Sequence, residues 1–146
     1  MIRFSIPVEI DRPVQDVFAF VTDPARLPEW QTNTVSARQE TPGPVGEGTL
    51  VREVHRAPFG RELEQLVEVA RFEPNRRFEL RIVEGPLPID GAFSFTPANG
   101  HGTRVDFEAQ GEPKGALRLL EPLLARQIER QFRDHLTHLK TALETA

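Results

Sequence analysis

Acid–base chemistry near neutral pH needs a group that gains and loses a proton there, and in this sequence that points first to histidine. There are four. His101 falls in Asn99-Gly100-His101-Gly102, a strong hairpin signal, and His138 shares an outward flank with Asp134. His55 and His135 remain. His55 follows Glu53 by two residues, so on a strand the two share a face and could act as an acid–base pair. His135 and Gln131 lie at helical spacing from Ile128 and Leu139, so two polar groups project with apolar ones. Such a group must sit at a rim, bond to a neighbour, or face a ligand or water in a cavity. Gln65 alternates with Leu63, Val67 and Val69 and is a further polar candidate on an apolar face. Cysteine is absent, and no histidine pair outside that flank has carboxylate support at ligand spacing. Neither a metal nor another cofactor is therefore expected. Residues 43–48 lack the following Lys-Ser/Thr of a phosphate loop, and Ser5, Ser36 and Ser94 lack the context of a nucleophile elbow.

The elements that would hold these residues follow from hydrophobic period. Leu117, Leu120, Leu124, Ile128, Phe132, Leu136, Leu139 and Leu143 recur at spacings of three and four, one face of a helix. Pro122 is tolerated only in the first turn, so the pattern predicts a lead-in turn from Gly115 and a long helix from Pro122. At the other end of the chain Phe4, Ile6, Val8 and Ile10 alternate with polar residues as a half-buried strand, with Pro7 suited to an edge or a bulge. Asp11-Arg12-Pro13 opens a helix carrying Val14, Val17, Phe18 and Val21, with Asp11 in position to cap it. Asp23-Pro24 ends that helix and starts a second short turn, from Pro24 to Pro28, with Trp30 just after.

Between these helices and the last one the period is two, cut by turn residues, giving strands at about 34–40, 49–56, 61–72, 78–82 and 89–95 and a last one through Val105 and Phe107. The order is strand, two short helices, six strands, long helix. That predicts an α+β fold in one domain over residues 1–146, a seven-stranded bent antiparallel sheet wrapped around a long C-terminal helix. A helix and a bent sheet rarely meet along their whole length, so a hollow between them is expected. Residues 41–48, rich in proline and glycine, are expected to form a mobile flap over its opening. For strand 49–56 neither face is clearly apolar, which leaves open whether Glu53 and His55 point inward or sit outside as solvated charges.

Acidic residues outnumber basic ones, 22 to 18, and the two signs are mixed along the chain, so no basic block marks a nucleic-acid partner. No apolar run is long enough for stable membrane insertion, and the N-terminus alternates rather than forming a signal-peptide core. A soluble cytoplasmic protein is expected, with a homodimer left open.

Several short segments together resemble a known family. Asp23-Pro24-Ala25-Arg26-Leu27-Pro28-Glu29-Trp30 after a proline-led helix looks like the opening of the polyketide cyclase/dehydrase-like, START-related superfamily. Gly48-Thr49, Phe72-Glu73-Pro74, Gly102-Thr103 and the ending Leu139-Lys140-Thr141-Ala142-Leu143-Glu144 also match. The resemblance spans nearly the whole chain and implies the helix-grip fold. It also implies Trp30 near a cavity mouth, although by type alone the sole tryptophan reads as a core anchor for the short helices.

The leading expectation is a protein that binds a small apolar molecule, lipid, polyketide or isoprenoid-like, under the long helix. Phe78, Leu80, Phe93, Phe95, Val105, Phe107, Ile128 and Phe132 would line the site, with Trp30 and Gln65 at its edge and Gln131 and His135 as polar anchors. The alternatives are a cyclase or dehydratase using His135 or His55 with Glu53, and an interaction module whose cavity has collapsed.

Overall fold

Alternation buries Ile2, Phe4, Ile6 and Ile10 on one face of the first strand and leaves Arg3, Ser5, Pro7 and Glu9 outside. The computed structural model describes residues 1–146, with all side chains but that of Pro58. The elements are β1 (Ile2–Ile10), α1 (Val14–Val21), α2 (Leu27–Trp30), β2 (Thr34–Gln39), β3 (Leu50–Arg56), β4 (Glu62–Glu73), β5 (Arg77–Glu84), β6 (Ile89–Pro97), β7 (Thr103–Gly111) and α3 (Glu121–Glu144). The seven strands form one antiparallel sheet in the order β1-β7-β6-β5-β4-β3-β2. β1 and β2 are therefore the edges, and Pro7, which has no N–H for a ladder, lies on one of them. Register shifts in β2 and twice in β4 bend the sheet.

The local signals act mostly as the residue types predict. Asp23 Oδ1 accepts from the Ala25 N–H at 3.0 Å and starts the turn before α2. A 3-10 segment, Gly115–Leu120, leads into α3, and Pro122 sits in its first turn. Asp11, expected to cap α1, does not: Pro13 holds that position, and the Asp11 N–H donates to Glu144 at 2.8 Å. That bond ties the end of β1 to the end of α3, and Lys140 Nζ adds a second tie to the Glu9 carbonyl at 2.7 Å.

The core is largely aromatic. Phe93 stands 4.8 Å from Phe107 and 6.1 Å from Trp30 between ring centroids, and Phe18 of α1 packs edge-on to Phe95 at 5.1 Å. Burial along α3 is graded. Leu136 and Leu139 are fully sequestered, Leu143 and Ile128 are buried, and Leu124 and Phe132 are half-buried. Leu117 and Leu120, expected in the same seam, are exposed, as is Leu123. The reason is the bend of the sheet. β5 and β6 pair only from Arg77 to Leu80 and then part, so the sheet curves away from the N-terminal half of α3.

The ladder also decides which end of the sheet each connection occupies. Thr34 faces His55 and Gln39 faces Val51, so residues 41–48 leave at the end opposite the turn between β3 and β4. That turn, the turn between β5 and β6, and the start of α3 share the other end, where the Met1 amine bonds to Glu121 at 2.8 Å. The loop is tied at its base, with Gln39 Nε2 donating to the carbonyls of Thr41 and Gly43 at 2.7 Å each.

Candidate functional site

The bend leaves a hollow of about 480 Å³ between the concave sheet face, α2 and the N-terminal half of α3. Its wall is mostly apolar. Phe78, Leu80 and Ile82 come from β5, Phe93 from β6, Phe107 from β7, Val67 and Val69 from β4, and Ile128 and Phe132 from α3. Each lines the hollow because period two or period 3.6 turns it toward the interior. Gly91 lets the floor close on Phe107, since a Cβ there would stand 3.0 Å from Phe107 Cε1.

Among the candidates read from the sequence, Trp30, Gln65, Phe78, Leu80, Phe93, Phe107, Ile128, Gln131, Phe132 and His135 line this hollow. Phe95 and Val105 do not. They share a face with lining residues but lie further along their strands, where α1 covers the sheet: Phe95 meets Phe18, and Val105 is wholly buried in the core. Gln131 is exposed and stands at the mouth, together with Gln127, Arg56, Leu63 and Pro86, all exposed lining residues. The mouth is thus at the α3 side of the sheet and at the end holding the β3–β4 and β5–β6 turns. Residues 41–48 contribute only half-buried Val45, at the far end, so they do not cover this mouth.

Glu53 and His55 point inward. Glu53 is buried, and both side chains line the hollow. Glu53 Oε1 accepts from Gln65 Nε2 at 3.0 Å and lies 2.9 Å from His55 Nε2. His55 Nδ1 meets the Thr34 hydroxyl at 3.1 Å, and Thr34 lies 3.5 Å from Gln31 Oε1. Glu53 and the Gln65 amide, which stands 3.1 Å from the same Nε2, together with Thr34 on Nδ1, fix the ring plane. The inward turn has a clear cause. Pairing in register puts Glu53 beside Gln65 and His55 beside Leu63, while Arg52 on the other face bonds Glu40 at 2.9 Å outside.

His135 is buried against Phe132, edge to face at 5.3 Å. Burial, helped by the nearby His138 and His55 and opposed by Asp134, lowers its pKa from 6.5 to about 4. At neutral pH it is an uncharged imidazole. Its Nδ1, the Trp30 Nε1 and the Asn33 Oδ1 are buried without a hydrogen-bond partner in the protein. All three residues line the hollow. Trp30 is thus both the core anchor of α2, barely exposed and packed on Phe93, and a wall residue. Thr34, Gln31 and Asn33 escaped the sequence reading because only the pairing of β2 with β3 brings that polar segment to His55.

A larger concavity of about 640 Å³ lies on the outer sheet face, with Ser5, Ala70 and Ala92 among its walls. Among its charged residues Arg77 pairs with Glu79, and Arg81 pairs with Glu68, while Arg3, Asp90 and Glu108 also line it. Among the described residues no group of three or more His, Asp or Glu could hold a metal ion. No helix among them is long and apolar enough to cross a membrane.

With this geometry in place, comparison with known proteins is decisive on one point. The family model described as polyketide cyclase/dehydrase and lipid transport matches residues 1–144. The chain belongs to that family. Solved structures agree on the fold. A START superfamily protein from Mycobacterium smegmatis superposes with a TM-score of 0.84 at 15% identity, covering 98% of this chain and 97% of that one. TTHA0849 from Thermus thermophilus gives 0.80 at 22% identity, covering 95% and 94%. A conserved protein from Geobacillus kaustophilus gives 0.79 at 16%, covering 98% and 95%. A search of curated proteins gave no match. Membership of the polyketide cyclase/dehydrase and lipid transport family suggests binding of a hydrophobic ligand.

Proposed function

We propose that the protein is a cytoplasmic carrier that binds one small, mostly apolar molecule, lipid, polyketide or isoprenoid-like, in the hollow under α3. The observation that supports this most is the hollow itself. Its wall is mostly apolar with a smaller number of polar side chains, Glu53, His55, Gln65 and His135 among them, the composition usual for small-molecule pockets. An interaction module acting with a collapsed cavity fits this geometry poorly.

A second reading, a cyclase or dehydratase, is favoured by one observation, the inward Glu53–His55 pair at 2.9 Å. A positioned acid–base group contributes typically about 10²–10⁴-fold in rate. The test compares wild type, His55→Gln and His135→Gln for binding and turnover of an aromatic polyketide mimic. A carrier should bind it without turnover, and His135→Gln should retain most of the affinity, because glutamine still offers a donor and an acceptor. Turnover by wild type that is lost in His55→Gln or His135→Gln, with binding kept, would make the protein an enzyme instead.

A further inference from the structure

We propose that the hollow selects neutral ligands carrying a hydroxyl group and rejects carboxylates, and that buried Glu53 imposes this choice. The inference rests on the binding proposed above and specifies the head group of the ligand.

It follows from the charges on the wall. Glu53 is buried at the polar end, where its Oε1 accepts from Gln65 Nε2 at 3.0 Å and lies 2.9 Å from His55 Nε2, so a carboxylate there already has two nitrogen neighbours. The sole Arg or Lys among the residues lining the hollow, Arg56, is exposed at the mouth and held there by the Thr32 carbonyl at 3.0 Å. His135, its pKa lowered by burial, offers no positive charge at neutral pH. A ligand carboxylate reaching the polar end would meet the like charge of Glu53 with no Arg or Lys beside it, in surroundings that screen poorly.

The atoms without partners narrow the choice further. Trp30 Nε1–H needs an acceptor, and Asn33 Oδ1 needs a donor. The backbone N–H of Arg56 bonds the Asn33 carbonyl at 2.7 Å, so Asn33 lies directly beside the strand that carries His55 and Glu53. A hydroxyl is both donor and acceptor. A carboxylate donates nothing, and an ammonium group has no lone pair for the indole. A bare hydrocarbon would leave these two buried atoms, and His135 Nδ1 with them, unpaired.

Equilibrium dialysis at pH 8 with naphthalene, 2-naphthol and 2-naphthoic acid tests this, since the three share one apolar body. 2-Naphthol is expected to bind about tenfold or more tightly than 2-naphthoate. Glu53→Gln, its fold checked by circular dichroism, should narrow that gap by raising the affinity for 2-naphthoate. Equal or tighter binding of 2-naphthoate by wild type would overturn the inference, while naphthalene binding in the same experiment would leave the hollow as a ligand site. A gap unchanged in Glu53→Gln would refute the role given to Glu53. If the wild-type protein takes up none of the three, the carrier proposal fails and this one fails with it. Should Glu53→Gln not fold, the wild-type ratio decides alone.

Discussion

Leu139→Ala is expected to lower the unfolding free energy by about 2–5 kcal/mol, and Phe132→Ala by clearly less than the ~3–5 kcal/mol usual for a buried phenylalanine. The two residues lie two turns apart on the same face of α3 but in different surroundings. Leu139 is fully sequestered where the helix meets the sheet, so its removal leaves a new void among atoms that are already ordered. Phe132 is half-buried, stacked on Phe107 at 4.7 Å on one side and lining the hollow on the other. Truncating it enlarges a space already there, and the uptake of an apolar probe should change. Urea titrations of both variants, with probe binding measured in parallel, check this. A large stability loss for Phe132→Ala without any change in probe uptake would mean that α3 is packed tightly at Phe132.

The second large effect is on pH dependence. The folded state holds His135 at about 4, below its ordinary 6.5, so between these values the unfolded chain binds more protons than the folded one. Above the ordinary value both states are neutral and stability is undiminished. As pH falls through the window stability is lost, by at most about 3 kcal/mol, and below the folded value the loss stops growing. His135→Gln has no proton to take up there and should flatten the slope. The comparison belongs between pH 7 and 5, because Glu40, Glu79 and Glu144 also have lowered pKa values and begin to contribute at lower pH. Parallel slopes in wild type and variant would mean that His135 is solvated in the folded protein.

Much of this architecture was legible in the residue pattern, because the pattern is what burial acts on. The eight-residue stripe from Leu117 to Leu143 called for the long helix, and alternation with turn residues called for the strands. What the pattern could not carry was curvature. Leu117 and Leu120 belong to the stripe by spacing, but the sheet bends away from them, and the bend arises from register shifts and the parting of β5 from β6. The inward face of β3 was hidden for a related reason. Arg52 and Glu53 are equally polar, and only pairing with β4, which sets Arg52 among Glu40, Glu64 and Glu84 outside, distinguishes them. Phe95 and Val105 lie on the expected face, but how far the hollow runs along a strand depends on where α1 lies.

The central claim is that the hollow beneath α3 takes up an apolar molecule, and an NMR titration of the labelled protein with naphthalene tests it most directly. Saturable shifts should appear at the Trp30 indole N–H and at Phe78, Ile128 and Phe132, with little change at Phe95 and Val105. Shifts confined to the outer concavity, at Ser5, Ala70 and Ala92, or none at all up to the solubility limit of naphthalene, would contradict it.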